Sequence, residues 1–131
     1  MASIDTVKKT GINAVNIDFE YPVKILYVHA ALVSSAAVGN RQLEMEEFLA
    51  SADAASHIFH AAAGAVQAAS LTRHYNFGEG FQQPTVFVSG TIEHPLPSLV
   101  LPAGGRVRVF DSANIDAAAD ALTVFVQIER L

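Results

Sequence analysis

Asp111, Asp116 and Asp120 fall within ten positions in "DSANIDAAAD". Three carboxylates so close together raise calcium as the first chemistry to weigh. A calcium loop places oxygen ligands at alternate positions and ends in a bidentate Glu. Here the spacings are five and four, and alanines stand where further ligands would be needed. The pattern fits a solvated loop in which Asp111 or Ser112 opens a turn and Asp116 caps a brief helical turn.

His57 and His60 are the next pair, at i and i+3. On a helix they would share a face and could hold a metal together; on a strand they point to opposite faces. "HIFHA" lacks the acid of the H-E-x-x-H metalloprotease pattern, so they read as partly exposed strand histidines. His29, His74 and His94 lie in separate segments, and their spacing does not gather them. Ser89 in "FVSGT" has no Gly two positions before it, as a nucleophile elbow would require, and reads as a strand end. Gly78 and Gly80 in "GEGF" lack the Lys and following helix of a phosphate loop, and read as a turn. Glu44 and Glu46 alternate with Leu43 and Met45, the wet side of a half-buried strand; Glu47 adjoins them. No two titratable groups form an acid and base team. The sequence therefore predicts no catalytic residue, no metal ligand and no cofactor, and it does not read as an enzyme.

Composition narrows the class further. A chain of 131 residues is one domain by size and can fold without a staple. With no Cys, disulfide frameworks, thiol catalysis and Cys-based zinc sites are excluded. Lys and Arg number 8 against 13 Asp and Glu, for a net charge of −5. The basic residues lie singly apart from Lys8-Lys9, which does not suit a phosphate backbone, so nucleic acid is not expected as a partner. No run approaches the roughly 18 apolar residues of a membrane span, and no signal-peptide core follows Lys8-Lys9.

The elements that must position these residues are strands. Gly and Pro recur at short intervals, from Gly39 through Gly64, Gly78, Pro84, Gly90 and Pro102 to Gly104-Gly105, leaving little room for long helices. "LTVFVQIER" alternates Leu122, Val124, Val126 and Ile128 against Thr123, Phe125, Gln127 and Glu129. "KILYVHAALV" is apolar on both faces, with Ile25, Tyr27 and His29 on one of them. "RVRVF", "TVFVS" and "LVLP" read as short strands, and "VGNRQ" as a hairpin turn between residues 22–37 and 41–49. The Ala-rich segment 50–75 suits a helix by propensity. Its large side chains form only a weak stripe, however, and two strands turning at Gly64 fit better. About eight strands with short connections predict an all-β antiparallel sandwich, an eight-stranded jelly roll by count, with an immunoglobulin-like arrangement as the alternative.

Three stretches taken together, "YVHAALVSSAAVGNRQLEMEEF", "AASLTRHYNFGEG" and "LPSLVLPAGGRVRVFDSANIDAAADALTVFVQIER", resemble a family of small virion proteins of tailed bacteriophages. The shared features are a G-N-R turn after the first long strand, a Y-x-F strand ending in Gly, and a closing "LP…DS..ID..AD" block; the match spans residues 22 to 130. The resemblance implies a capsid cement or decoration protein: a jelly roll on the outer surface of the phage head, bound to the major capsid protein and clamping neighbouring capsomers. It also implies location in the virion, after assembly in the host cytoplasm. It carries over no catalytic or metal-ligating residue, and it makes "DSANIDAAAD" the loop joining the last two strands. A head-to-tail neck protein, adaptor or stopper, is the alternative, followed by a carbohydrate-binding module, for which the absence of Trp leaves few platforms.

On this reading residues 1–20 are an N-terminal arm and first strand, and 21–131 a single β-sandwich domain. The arm would order on a partner, with Lys8 and Lys9 meeting an acidic capsid surface and Ile12 beside them. Phe81, an aromatic residue in a loop, is a further contact candidate. The open edges of a sandwich make a homo-oligomer, dimer or trimer, the expected state.

Overall fold

The computed structural model describes residues 3–97, 99–116 and 118–131. It is all-β, with two sheets packed face to face. The strands are β1 (Ser3–Gly11), β2 (Ala14–Asp18), β3 (Val23–Val33), β4 (Leu43–Phe48), β5 (His57–Ala62), β6 (Thr72–Gly78), β7 (Thr91–Pro95), β8 (Leu99–Leu101), β9 (Arg106–Asp111) and β10 (Ala121–Arg130). One sheet runs β1-β10-β3-β6-β7 with β8 beside β3, and the other runs β2-β9-β4-β5. There are thus ten described strands rather than eight. β6 and β7 pair in parallel, a departure from the expected antiparallel pattern.

The alternation along β10 does what its spacing predicts. Leu122, Val124, Val126 and Ile128 are buried and meet Val15, Ile17, Met45, Val107 and Val109 of the opposite sheet in one core. Each such side chain removed from water contributes roughly 1.5–3 kcal/mol.

β3 departs from its apparent pattern. Val23 and Ile25 point inward, and then Val28, Ala30 and Leu32 do. Ile25 pairs with Ile128 and Tyr27 with Gln127, so Leu26 is an extra residue, a β-bulge. Spacing alone grouped Ile25 with Tyr27 and His29. The bulge instead turns Tyr27 and His29 to the outer face.

Other expectations are corrected by where the chain crosses between sheets. β3 and β4 do not form a hairpin, since β3 pairs with β10, β6 and β8 and β4 pairs with β5 and β9. Residues 34–42 carry the chain from one sheet to the other. Segment 50–75 does form two strands after a 3-10 turn at Ala54–Ser56, but β5 and β6 belong to different sheets and β6 begins only at Thr72. "TVFVS" is a loop touching Thr91 through a single bridge at Val88, with Val86 and Val88 exposed. Phe87 between them turns inward, half-buried against the core and edge-on to Tyr75 at 5.5 Å. The expected arm is a strand, β1, paired with β10 over its whole length. Its side chains are nonetheless mostly exposed, with Val7 and Gly11 only half-buried, because β1 lies at the rim of its sheet.

Leu122→Ala is expected to lose about 2–5 kcal/mol of stability in denaturant titration, through lost transfer and a cavity. Gln127→Ala, on the outer face of the same strand, is expected to change it by less than about 0.5 kcal/mol. Equal losses would contradict the assignment of faces.

Candidate functional site

The three aspartates are not equally wet. Asp120, between the β9–β10 loop and β10, is buried, and so is Asp111 at the end of β9. Asp120 grips Arg41, which is 0% exposed. Arg41 Nε donates to Asp120 Oδ2 at 3.0 Å and Nη2 to Oδ1 at 3.1 Å. Nη1 donates to the carbonyls of Ala37 and Gly39, both at 2.8 Å, and Nη2 also reaches the Ser35 hydroxyl at 3.2 Å. A buried guanidinium is tolerable only when caged in this way. Burial works to raise the Asp120 carboxyl, but the bonds from Arg41 and Ser35 outweigh it and hold the group below its ordinary value. The Asp120 bond likewise raises Arg41.

The other two aspartates serve the backbone. Asp111 Oδ1 accepts from Gln42 N at 2.9 Å and Ala113 N at 3.0 Å. Asp116 Oδ1 accepts from Ala118 N and Ala119 N, and its Oδ2 from the Ser35 hydroxyl at 2.6 Å, which lowers its pKa. Turn-opening at Asp111 and capping at Asp116 therefore match the sequence reading. The wholly solvated loop does not, because the loop must close over Arg41.

Arg41 is tied to a second buried group. Its N–H and C=O exchange bonds with those of Gln67, at 2.7 and 2.8 Å. The Gln67 side chain donates to the carbonyls of Leu32 and Leu71 and accepts from the Tyr75 hydroxyl. The side-chain polar atoms of Arg41 and Gln67 thus bond other parts of the same fold, and the assembly holds structure.

The outer face of the second sheet carries His57 and His60. Phe48 pairs with His57 and Glu47 with Phe59, so Ile58 is bulged out. The extra residue reverses the expectation of opposite faces and brings the two imidazoles 5.8 Å apart, centroid to centroid. His57 Nε2 lies 3.2 Å from Glu46 and His60 Nε2 lies 2.5 Å from Glu44, while Arg108 also meets Glu46 at 3.2 Å. These contacts are partly exposed, and the one between Arg108 and Glu46 is an ion pair. Among the described residues, no three His, Asp or Glu side chains converge as a metal would need.

Glu47 is the exception in its strand: fully buried, pointing into the core, with neither carboxylate oxygen bonded among the described residues. Desolvation pushes its pKa up to about 7.

The outer face of the first sheet is different in kind. Thr6, Tyr27, His29, Phe125 and Gln127 stand around a shallow, mainly apolar depression across β1, β10 and β3, and the aromatic side chains at its rim form a ridge. His29 stacks on His74 of β6 at 5.3 Å, tilts against Phe125 at 5.9 Å and bonds Asn76 at 2.6 Å. Of the residues predicted as partner contacts, two join this face. Lys8 lies over the Phe125 ring at 5.5 Å, and Phe81 covers Gly78 and meets Tyr27 edge-on at 6.1 Å. Lys9 points the other way, donating to the Asn16 carbonyl at 2.6 Å. Ile12, 46% exposed, sits at the corner between β1 and β2, away from the ridge. Tyr27, His29, His74 and Phe125, which help to build this face, are not singled out by the sequence. The alternation of β10 exposes Phe125, but the bulge in β3 hid the other half of the signal.

No protein-family model matches this chain, and no curated protein does. A chain in the structure of infectious bursal disease virus Gx strain is similar at 14% identity and a TM-score of 0.33, over 98% of this chain and 40% of that one. This chain thus spans well under half the length of that one, and a likeness so slight carries no argument.

Glu47 supplies a prediction. Its folded pKa, about 7, lies above the ordinary 4.5, so between those values the folded state holds a proton that the unfolded state has released. Stability is fully present below pH 4.5 and falls as pH rises to about 7, by roughly 3 kcal/mol. Asp120 and Asp116, with lowered values, act oppositely, and their contribution is lost only in more acid solution. Glu47→Gln is expected to flatten the decline between pH 4.5 and 7 in denaturant midpoints. An unchanged slope would contradict the assignment.

Proposed function

We propose that this chain is a virion structural protein, a cement or decoration protein that binds the major capsid protein on the outer surface of a tailed-phage head and ties neighbouring capsomers together. The reading starts from the sequence resemblance. The observation that carries it furthest is the ridge of Lys8, Phe125, His29, His74, Tyr27 and Phe81 on the outer face of the first sheet. Rings that are half-exposed, held by neighbours and flanked by a cation make a rigid contact surface at low entropic cost.

We read the two sheets as a jelly roll. With β7 and β8 set aside, the strand orders are β1-β10-β3-β6 and β2-β9-β4-β5. The pairs β1/β10, β2/β9, β3/β6 and β4/β5 make one long antiparallel ribbon, rolled until its faces meet. Such a roll offers broad, stiff outer faces and needs no cofactor. On this reading the protein performs no reaction; it adds contact area, roughly 1,000 Å² or more per copy. Many copies then resist shell rupture together, because releasing one does not release its neighbours.

The test uses heads stripped of this protein. Adding it back is expected to raise the temperature at which the shells burst, with hundreds of copies bound per particle rather than the dozen or so of a neck component. Phe125→Ala, at a half-buried position outside the core, is expected to keep the folded spectrum and bind about tenfold or more weakly. Shells equally robust with and without the protein would overturn the reading, and binding indifferent to Phe125 would remove the ridge from it.

A further inference from the structure

We propose that β1 is a dimerisation strand: its free edge pairs antiparallel with the same edge of a second copy, Val7 opposite Val7. β1 is nine residues long and contains no Pro. Among the described residues its hydrogen-bonded neighbour is β10, on one side. The other side presents a row of backbone N–H and C=O groups, a template for another strand.

The sequence of β1 selects both occupant and register. In an antiparallel pair, residues directly opposite must both face toward or both face away from the hydrogen-bonded partner, so a two-fold pairing centres on a single residue. Centred on Val7, all of Ser3–Gly11 is used, and Asp5 of each copy stands opposite Lys9 of the other. Thr6 then faces Lys8, and Ile4 faces Thr10. Centred on Thr6, the pairing sets Asp5 against Val7 and Ile4 against Lys8, and leaves Thr10 and Gly11 unpaired. Centred on Lys8, it sets Lys8 against Lys8. The strand is therefore self-complementary in charge in one register. The adjacent lysines, which would repel an arbitrary basic strand, there meet an acid and a hydroxyl.

Local geometry agrees. Thr6 and Lys8 lie on the outer face with Phe125, while Val7 packs toward the core and Lys9 reaches the Asn16 carbonyl of β2. The Asp5–Lys9 pairs thus form on the same face as Val7, exposed to solvent and therefore sensitive to salt. A two-fold axis through this contact runs perpendicular to the sheet, so the first sheets of both copies join into one and their aromatic ridges face the same way. If the ridge is the docking face, as proposed above, the dimer binds bivalently. The pairing itself does not rest on that function.

The experiment is sedimentation of the full-length chain across a concentration series. The wild type is expected to dimerise, more weakly at high salt. Lys9→Asp and Asp5→Lys each place two like-charged pairs across the edge, and each is expected to weaken the dimer about tenfold or more. The double variant Asp5→Lys/Lys9→Asp restores complementarity and is expected to dimerise again, and an equimolar mixture of the two single variants is expected to form a heterodimer. All positions are exposed, and circular dichroism checks that the fold survives. A wild type that stays monomeric overturns the proposal. A dimer that the single variants leave intact, or that neither double variant nor mixture restores, also overturns it and points to another surface. A wild-type monomer that still binds stripped heads would sink this inference and leave the cement reading standing.

Discussion

A buried guanidinium sets the terms for one whole end of this molecule. Arg41 is fully enclosed and has five N–H groups to satisfy, and the fold meets that demand by bringing Asp120, Ser35 and two turn carbonyls around it. The demand explains why the β3–β4 connection is a tight crossover and why the β9–β10 loop folds back over it. Through its backbone exchange with Gln67, the same residue holds the β5–β6 connection in place. Three connections between sheets are therefore fastened at one point, and the two motifs that looked unrelated along the chain, the Gly39-Asn40-Arg41 turn and the terminal acids, are partners in space.

That fastening suits a rolled ribbon. Its strand pairs join distant parts of the sequence, β1 with β10 and β2 with β9, so each closes a long loop whose entropy must be offset. The shared apolar core, to which β10 gives Leu122, Val124, Val126 and Ile128, supplies the driving force, and a polar clamp at one end fixes which loops sit together. The acids near the carboxyl end are thereby committed to architecture. The outer face of the first sheet and the rim at β1 are the two surfaces to which the proposals above assign partners.

How much of this was legible follows from where simple periodicity holds. β10, β9 and the first part of β4 alternate without interruption, and spacing places their inner and outer residues correctly. Periodicity failed at the bulges, at Leu26 and Ile58, because one inserted residue reverses every face beyond it. Those reversals hid both the Tyr27–His29 half of the ridge and the meeting of His57 with His60. "TVFVS" failed for another reason: its β-branched Val86 and Val88 stay exposed, and the segment is held by one bridge and by Phe87 against the core rather than by a ladder. The Arg41 clamp is a contact between residues far apart in sequence, which local pattern does not encode. Its one visible trace is an arginine set among small residues in a turn.

The view that the terminal aspartates build rather than bind is tested most directly by a double-mutant cycle on the clamp, with Arg41→Met, Asp120→Asn and the pair measured by denaturant unfolding. Each single change leaves a buried partner unsatisfied and should cost about 3–5 kcal/mol. The double change should cost less than the sum of the two by more than about 1 kcal/mol. Losses that add to within about 0.5 kcal/mol would show that Arg41 and Asp120 act independently, and would contradict the clamp on which the rest depends.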